Sequence, residues 1–127
     1  MPFAHALADE LIDFIRSNYA SVWIGGYTAM PSKTGGGTEA VGGSYARVEI
    51  DTDAIFPASS DSETENDTQV AFATFSASPG GGIVAWSLHD ASSAGNLLAW
   101  FPLVTPLSIG SGDNVAFPIG NIIIRNV

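Results

Sequence analysis

The chain has 127 residues, of which 46% are hydrophobic, and its 13 acidic against four basic residues give a net charge of −9 with no cysteine. That length suits one compact domain with a core that needs no staples, and the apolar content excludes a disordered chain. The missing thiols exclude disulfides, zinc–thiolate and iron–sulfur centres and cysteine nucleophiles. Four scattered cations, Arg16, Lys33, Arg47 and Arg125, argue against nucleic acid and against an anionic membrane surface.

The first segment reads as an amphipathic helix. Leu7, Leu11, Phe14 and Ile15 form one apolar stripe, and Asp9, Glu10, Asp13 and Arg16 fall mostly opposite it. The spacing predicts a helix from Phe3 to Ser17, with Asn18 as its stop. Asp9, Glu10 and Asp13 interrupt the apolar text and no basic region precedes it, so it is not a signal peptide. No run reaches the ~18 apolar residues of a membrane span.

Beyond Asn18, β-branched and aromatic residues come in short runs divided by Gly, Pro, Ser, Asn and Asp. The expected strands are Ser21–Thr28, Tyr45–Asp51, Gln69–Ser76, Ile83–His89, Leu97–Leu103, Asn114–Phe117 and Asn121–Val127. Pro31–Gly43, Pro57–Thr68, Pro79–Gly82, Ser92–Asn96 and Gly110–Asp113 read as breaks. In Gln69–Ser76, alternation puts Val70, Phe72 and Thr74 on one face and Ala71, Ala73 and Phe75 on the other. Many short strands at this spacing predict a mainly β fold, an antiparallel β-sandwich of jelly-roll type with one N-terminal α-helix. The domain organisation expected is a single domain over 1–127, with the helix in 1–18 and the sandwich in 19–127.

Charge is uneven. No Lys or Arg lies between Val48 and Ile124, and six of the nine acidic residues there fall between Asp51 and Asp67. That segment reads as a solvated acidic loop. The alternation of Asp61, Glu63, Glu65 and Asp67 could present oxygens to calcium, but no central Gly turns the loop as in an EF-hand, and no metal or other cofactor is expected. Asn66-Asp67-Thr68 has the form of a glycosylation sequon, read as chance.

The motifs of catalysis are incomplete. Gly42-Gly43-Ser44-Tyr45-Ala46 has Ala46 where a nucleophile elbow needs Gly. His89 and Asp90 are adjacent, which aims them to opposite sides of a strand. Pro31-Ser32-Lys33-Thr34 lacks the glycines of a phosphate loop, having Tyr27 and Ser32 in their places. The expectation is therefore a protein that is not an enzyme. Of the three tryptophans, Trp86 reads as core between Val84 and Leu88. Trp100 and Phe101 are adjacent on opposite faces, so one of them is a candidate for exposure, and exposed aromatics mark interfaces. Leu7, Leu11, Phe14, Trp100 and Phe101 are the candidate interface residues.

Three segments together resemble a family of small phage virion proteins usually labelled tail-fibre proteins. They are Gly35–Arg47, ending in Gly42-Gly43-Ser44-Tyr45-Ala46-Arg47; Leu88–Leu98, containing Asp90-Ala91-Ser92-Ser93-Ala94-Gly95-Asn96-Leu97-Leu98; and Gly112-Asp113 with Phe117 and Gly120. The resemblance implies a compact jelly-roll sandwich similar to trimeric capsid decoration, or cement, proteins, with no catalytic residues to carry over. The acidic stretch Ile55–Thr68 departs from the family pattern. The function this implies is a virion structural protein, assembled in the host cytoplasm, that binds the capsid surface and stabilises the head. Its partners would be the major capsid protein and copies of itself in a homotrimer, with neither nucleic acid nor membrane. The alternative is a tail-fibre or baseplate component involved in host attachment; a calcium-dependent carbohydrate-binding or hydrolysing domain is a third reading.

Overall fold

A computed structural model describes residues 13–14, 17–52 and 63–125. The chain is mainly β, and its paired strands are antiparallel wherever their register is defined. In chain order they are β1 (Ser21–Ala29), β2 (Thr38–Glu39), β3 (Val48–Asp51), β4 (Glu63–Glu65), β5 (Val70–Ala71), β6 (Ile83–His89), β7 (Leu97–Leu107), β8 (Ala116–Phe117) and β9 (Ile123–Arg125). They group into one five-stranded sheet, β2-β1-β6-β7 with β3 also on β1, and two two-stranded sheets, β4-β9 and β5-β8.

Contacts divide the chain into two compact units. One comprises Val22–Glu49 and Ala71–Ala116 and carries most of the five-stranded sheet. Its core is built from Val22, Ile24, Tyr27, Phe72, Phe75, Ile83, Ala85, Trp86, Leu88 and Ile109, all buried. β6 is the central strand, so Ile83–His89 is closed in from both sides and six of its seven residues are buried. This is why the segment reads as a continuous apolar run rather than an alternation. The expected core position of Trp86 is observed.

Opposite residues in an antiparallel pair share a face. Gly25, Ser87 and Trp100 therefore form one row across β1, β6 and β7, and Gly26, Trp86 and Phe101 the next row on the other face. The Phe72 ring packs, tilted, with its centroid 5.4 Å from that of Trp86 and 6.0 Å from that of Phe75.

The other unit comprises the chain up to Ser21, Ile50–Val70 and Phe117–Val127. Its buried residues include Ile50, Thr52, Thr64, Asn66, Val70 and Ile122. Asn66, with no exposed surface, is a polar staple. Its amide donates to the Thr68 carbonyl at 2.8 Å and the Pro118 carbonyl at 3.1 Å, and its side-chain oxygen accepts from the Ile122 N–H at 2.9 Å. Each partner answers a backbone group that would otherwise cost desolvation energy. An amide so enclosed cannot serve as a glycosylation acceptor in the folded chain.

Three expectations about elements need correction. Only Val70–Ala71 of Gln69–Ser76 is a strand. Phe72 and Phe75 both turn into the core, which a strand's period of two would forbid at a spacing of three. Within the acidic stretch, Glu63–Glu65 is not loop but strand, paired with Ile123–Arg125 through the register Thr64↔Ile124. The short β2 lies inside the expected break Pro31–Gly43.

Most of the expected N-terminal helix, Leu7 and Leu11 included, lies outside the described residues. Asp13, Phe14, Ser17 and Asn18 are helical, and the Asn18 amide donates to the Phe14 carbonyl at 3.1 Å, satisfying a terminal carbonyl as a stop residue should. No helix among the described residues is long and apolar enough to cross a membrane.

Candidate functional site

A cleft lies wholly within the unit that holds the five-stranded sheet. Its floor is made by two sequence segments that a chain-order reading keeps far apart. Arg47 reaches across 44 residues to donate to the carbonyl of Ala91 at 2.8 Å, and the same nitrogen donates to the carbonyl of Ala94 at 2.9 Å. Its other two nitrogens grip Glu39 in a fork, Nε to Oε2 at 2.8 Å and Nη2 to Oε1 at 2.7 Å. The Tyr45 hydroxyl donates to Glu39 Oε2 at 2.7 Å and accepts from the Gly26 N–H at 3.1 Å.

Burial alone would push the Glu39 carboxyl upward, but the Arg47 and Tyr45 hydrogen bonds and the Arg47 charge hold it below its ordinary range. Burial and the Glu39 carboxylate together push the Tyr45 phenol far up, so it stays protonated and keeps donating. Bidentate pairing of this kind is geometrically specific, and the side chain of Arg47 is only 7% exposed.

The segment Asp90–Asn96 is held as a closed loop. The Asp90 carboxylate accepts from the Asn96 N–H at 2.7 Å and from its amide at 2.8 Å, and the Asp90 N–H donates back to the Asn96 carbonyl. These bonds, the Asn96 N–H first, lower the Asp90 carboxyl below its usual value. Gly95 sits at φ 68°, and a Cβ there would come within 2.5 Å of Asp90 Oδ1 and 2.7 Å of the Ala91 Cβ. Only glycine closes this loop without strain.

His89 ends β6. Its Nε2 is 2.9 Å from the Ser87 hydroxyl, and its ring stacks on Tyr27 with centroids 6.0 Å apart. Burial, then the neighbouring Arg47 charge, lowers its pKa. The hydroxyl–imidazole pair is almost wholly buried, with Ser87 and His89 at 0% and 2% exposure, and His89 is among the residues that line the cleft. Ser44 donates instead to the Ser76 hydroxyl at 2.9 Å.

Above this floor the cleft encloses about 560 Å³. Trp100 and Tyr27 line it, with Asn96, Lys33 and the hydroxyl residues Ser32 and Thr34. Lys33 and Thr34 are the tip of a tight turn closed by paired Ser32 and Gly35 backbone bonds at 2.9 and 3.0 Å. Thus Pro31-Ser32-Lys33-Thr34, which fails as a phosphate loop, forms one rim of the cleft, and Asn96–Leu98 forms another.

Of the predicted interface residues, Leu7 and Leu11 lie outside the described residues. Phe14 is 65% exposed; Trp100 is half-buried in the cleft wall and Phe101 is exposed on the other face of β7. Sequence reasoning missed most of the exposed surface of β7. This strand pairs with β6 on one side and is the end of its sheet. Leu98, Phe101, Val104 and Leu107 are all exposed along it, Val104 completely. From Ala91 to Gly112 there is no charged residue in an otherwise acidic chain, which was the signal available in the sequence.

In the described part of the acidic stretch, Glu63 and Glu65 fall on β4, and no group of three His, Asp or Glu side chains able to hold a metal gathers among the described residues.

The three sequence signatures now have a physical meaning. Arg47 from the first and Ala94 to Leu98 from the second line one cleft, and the hydrogen bonds of Tyr45 and Asp90 hold them in place. The third supports turns, with Gly112 donating to the Phe75 carbonyl at 2.8 Å and Asp113 accepting from the Gly110 N–H at 2.8 Å. A family model described as Podophage GP4 fiber I protein gp80 matches residues 2–125, nearly the whole chain. No curated protein matches it.

Proposed function

We propose, from the premise that this chain belongs to the Podophage GP4 fiber I protein family and is a structural protein of a phage virion, that it is a fibre component serving host attachment rather than a capsid decoration protein. The family match over residues 2–125 carries this reading, because the family is described by a fibre protein. It acts by association and makes or breaks no covalent bond. The burial of Ser87 and His89 and the engagement of Ser44 by Ser76 support that role. The sandwich reading of the fold goes with it, supported by Phe72 and Phe75 covering the Trp86 face of the sheet as a second layer would.

The partner is a second copy of the chain, met at β7. Two bodies of net charge −9 repel one another least where they meet on an uncharged face, and the uncharged run Ala91–Gly112 supplies that place. Pro102 and Pro106 remove backbone donors from this edge strand. Contact there is made by side chains, which prevents runaway strand addition. A closed ring of three copies is the assembly, since closure leaves no sticky edge free.

Gold-labelled antibody on intact virions tests the placement. Label on the tail or its fibres is the expected result. Label distributed over the head shell would overturn the fibre reading in favour of decoration.

A further inference from the structure

We infer that the cleft beneath the Lys33 turn is a binding site for an anionic sugar residue, one bearing a carboxylate or phosphate. The inference stands on the cavity, not on the fibre assignment. The first observation is charge. The chain holds 13 acidic residues and four basic ones, yet the cleft is lined by Lys33 and Arg47 and by no Asp or Glu among the described residues. The Arg47 charge is already matched by Glu39 beneath it. Lys33 has no ion pair among the described residues, so the cleft presents one uncompensated positive charge.

The second observation is shape and chemistry. About 560 Å³ lies within the range of small-molecule sites. Trp100 offers an aromatic wall and the side-chain oxygen of Asn96 an acceptor, while the Ser32 and Thr34 hydroxyls, bonded to one another at 3.1 Å with Ser32 also donating to the Gly35 carbonyl at 2.9 Å, add acceptor lone pairs at the rim. A ring with apolar C–H patches and outward hydroxyls matches that combination; a purely apolar ligand would leave the ammonium and the Asn96 oxygen unanswered.

The third observation is preorganisation. The Asn96 amide is fixed on Asp90, the loop behind it is fixed by Arg47, and Lys33 sits on a hydrogen-bonded turn. A site whose parts are held before binding loses little entropy when occupied.

The test uses the full-length chain and three matched probes, a glucuronide, a sugar phosphate and the neutral glucoside, titrated by calorimetry and by tryptophan fluorescence. At least one anionic probe binds about tenfold tighter than the neutral one, as expected for one charge-assisted contact, and the advantage shrinks with added salt. The two anionic arms distinguish carboxylate from phosphate. Lys33→Ala, on an exposed turn, leaves the fold intact and erases the anionic advantage. Trp100→Ala weakens all three probes; should it unfold, Lys33→Ala still decides the matter. No binding by either anionic probe, equal binding of charged and neutral sugars, or an anionic advantage that survives Lys33→Ala would overturn the inference.

Discussion

Two adjacent glycines in β1 show how single residues set this structure. Gly25 and Gly26 point to opposite faces of the sheet. A Cβ on Gly25 would sit 2.6 Å from the Tyr45 hydroxyl and 3.1 Å from Ser87 Oγ, so the strand leaves that space to the Tyr45–Glu39–Arg47 network. A Cβ on Gly26 would lie 3.0 Å from the Ile83 methyl and 3.1 Å from the Trp86 ring. Gly25→Ala therefore destabilises by about 1–3 kcal/mol, the range for overpacking, as read by urea denaturation. Gly82→Ala, whose nearest contact would be an ordinary 3.4 Å, is the control and shifts stability by no more than about 0.5 kcal/mol. Sequence alone gives two glycines in a strand, and these could as well mark a bulge. What they make room for comes from residues 20 and 60 positions away.

At the scale of elements, the strand texture was legible where burial and propensity agree. Ile83–His89 and the start of Leu97–Leu107 are rich in β-branched, aromatic and leucine side chains, and both form strands. The strand expected over Leu97–Leu103 runs on to Leu107, past Pro106, a residue tolerated on an edge. The strand Glu63–Glu65 was hidden by its acids, whose pairing depends on Ile123–Arg125 almost sixty residues on. The family text flagged the residues of the cleft without saying what they build, because the hydrogen bonds of Arg47 join segments that no local pattern connects.

The end of β6 and the loop after it also set a pH response. His89 is held below its free value of 6.5, so between that value and its native one the unfolded chain binds the proton more readily and stability is lost as the pH falls. Glu39 and Asp90 are held below 4.5 and 3.8, which removes further stability at lower pH with the same sign. The urea midpoint at about pH 5 is thus lower than at about pH 7.5, and His89→Gln flattens the difference. A midpoint that rises on acidification in the wild-type chain and not in His89→Gln would contradict the role given to His89.

For the whole molecule, the long uncharged, apolar strand edge of an acidic body is the surface through which copies of the chain meet in the proposed fibre reading. The cleft wall and the exposed edge belong to the same strand, with Trp100 turned to one and Phe101, in the neighbouring row, to the opposite face. A fibre assembled from small subunits gains from repetition, since many modest contacts held in register give strong overall attachment. The most direct test is the solution mass of the purified chain by light scattering, for wild type and for Val104→Lys, a change at a fully exposed position. The account predicts three times 13.2 kDa for wild type and a single 13.2 kDa chain, still folded, for the variant. A wild-type chain that is monomeric at every concentration, or a trimer indifferent to Val104→Lys, would contradict it.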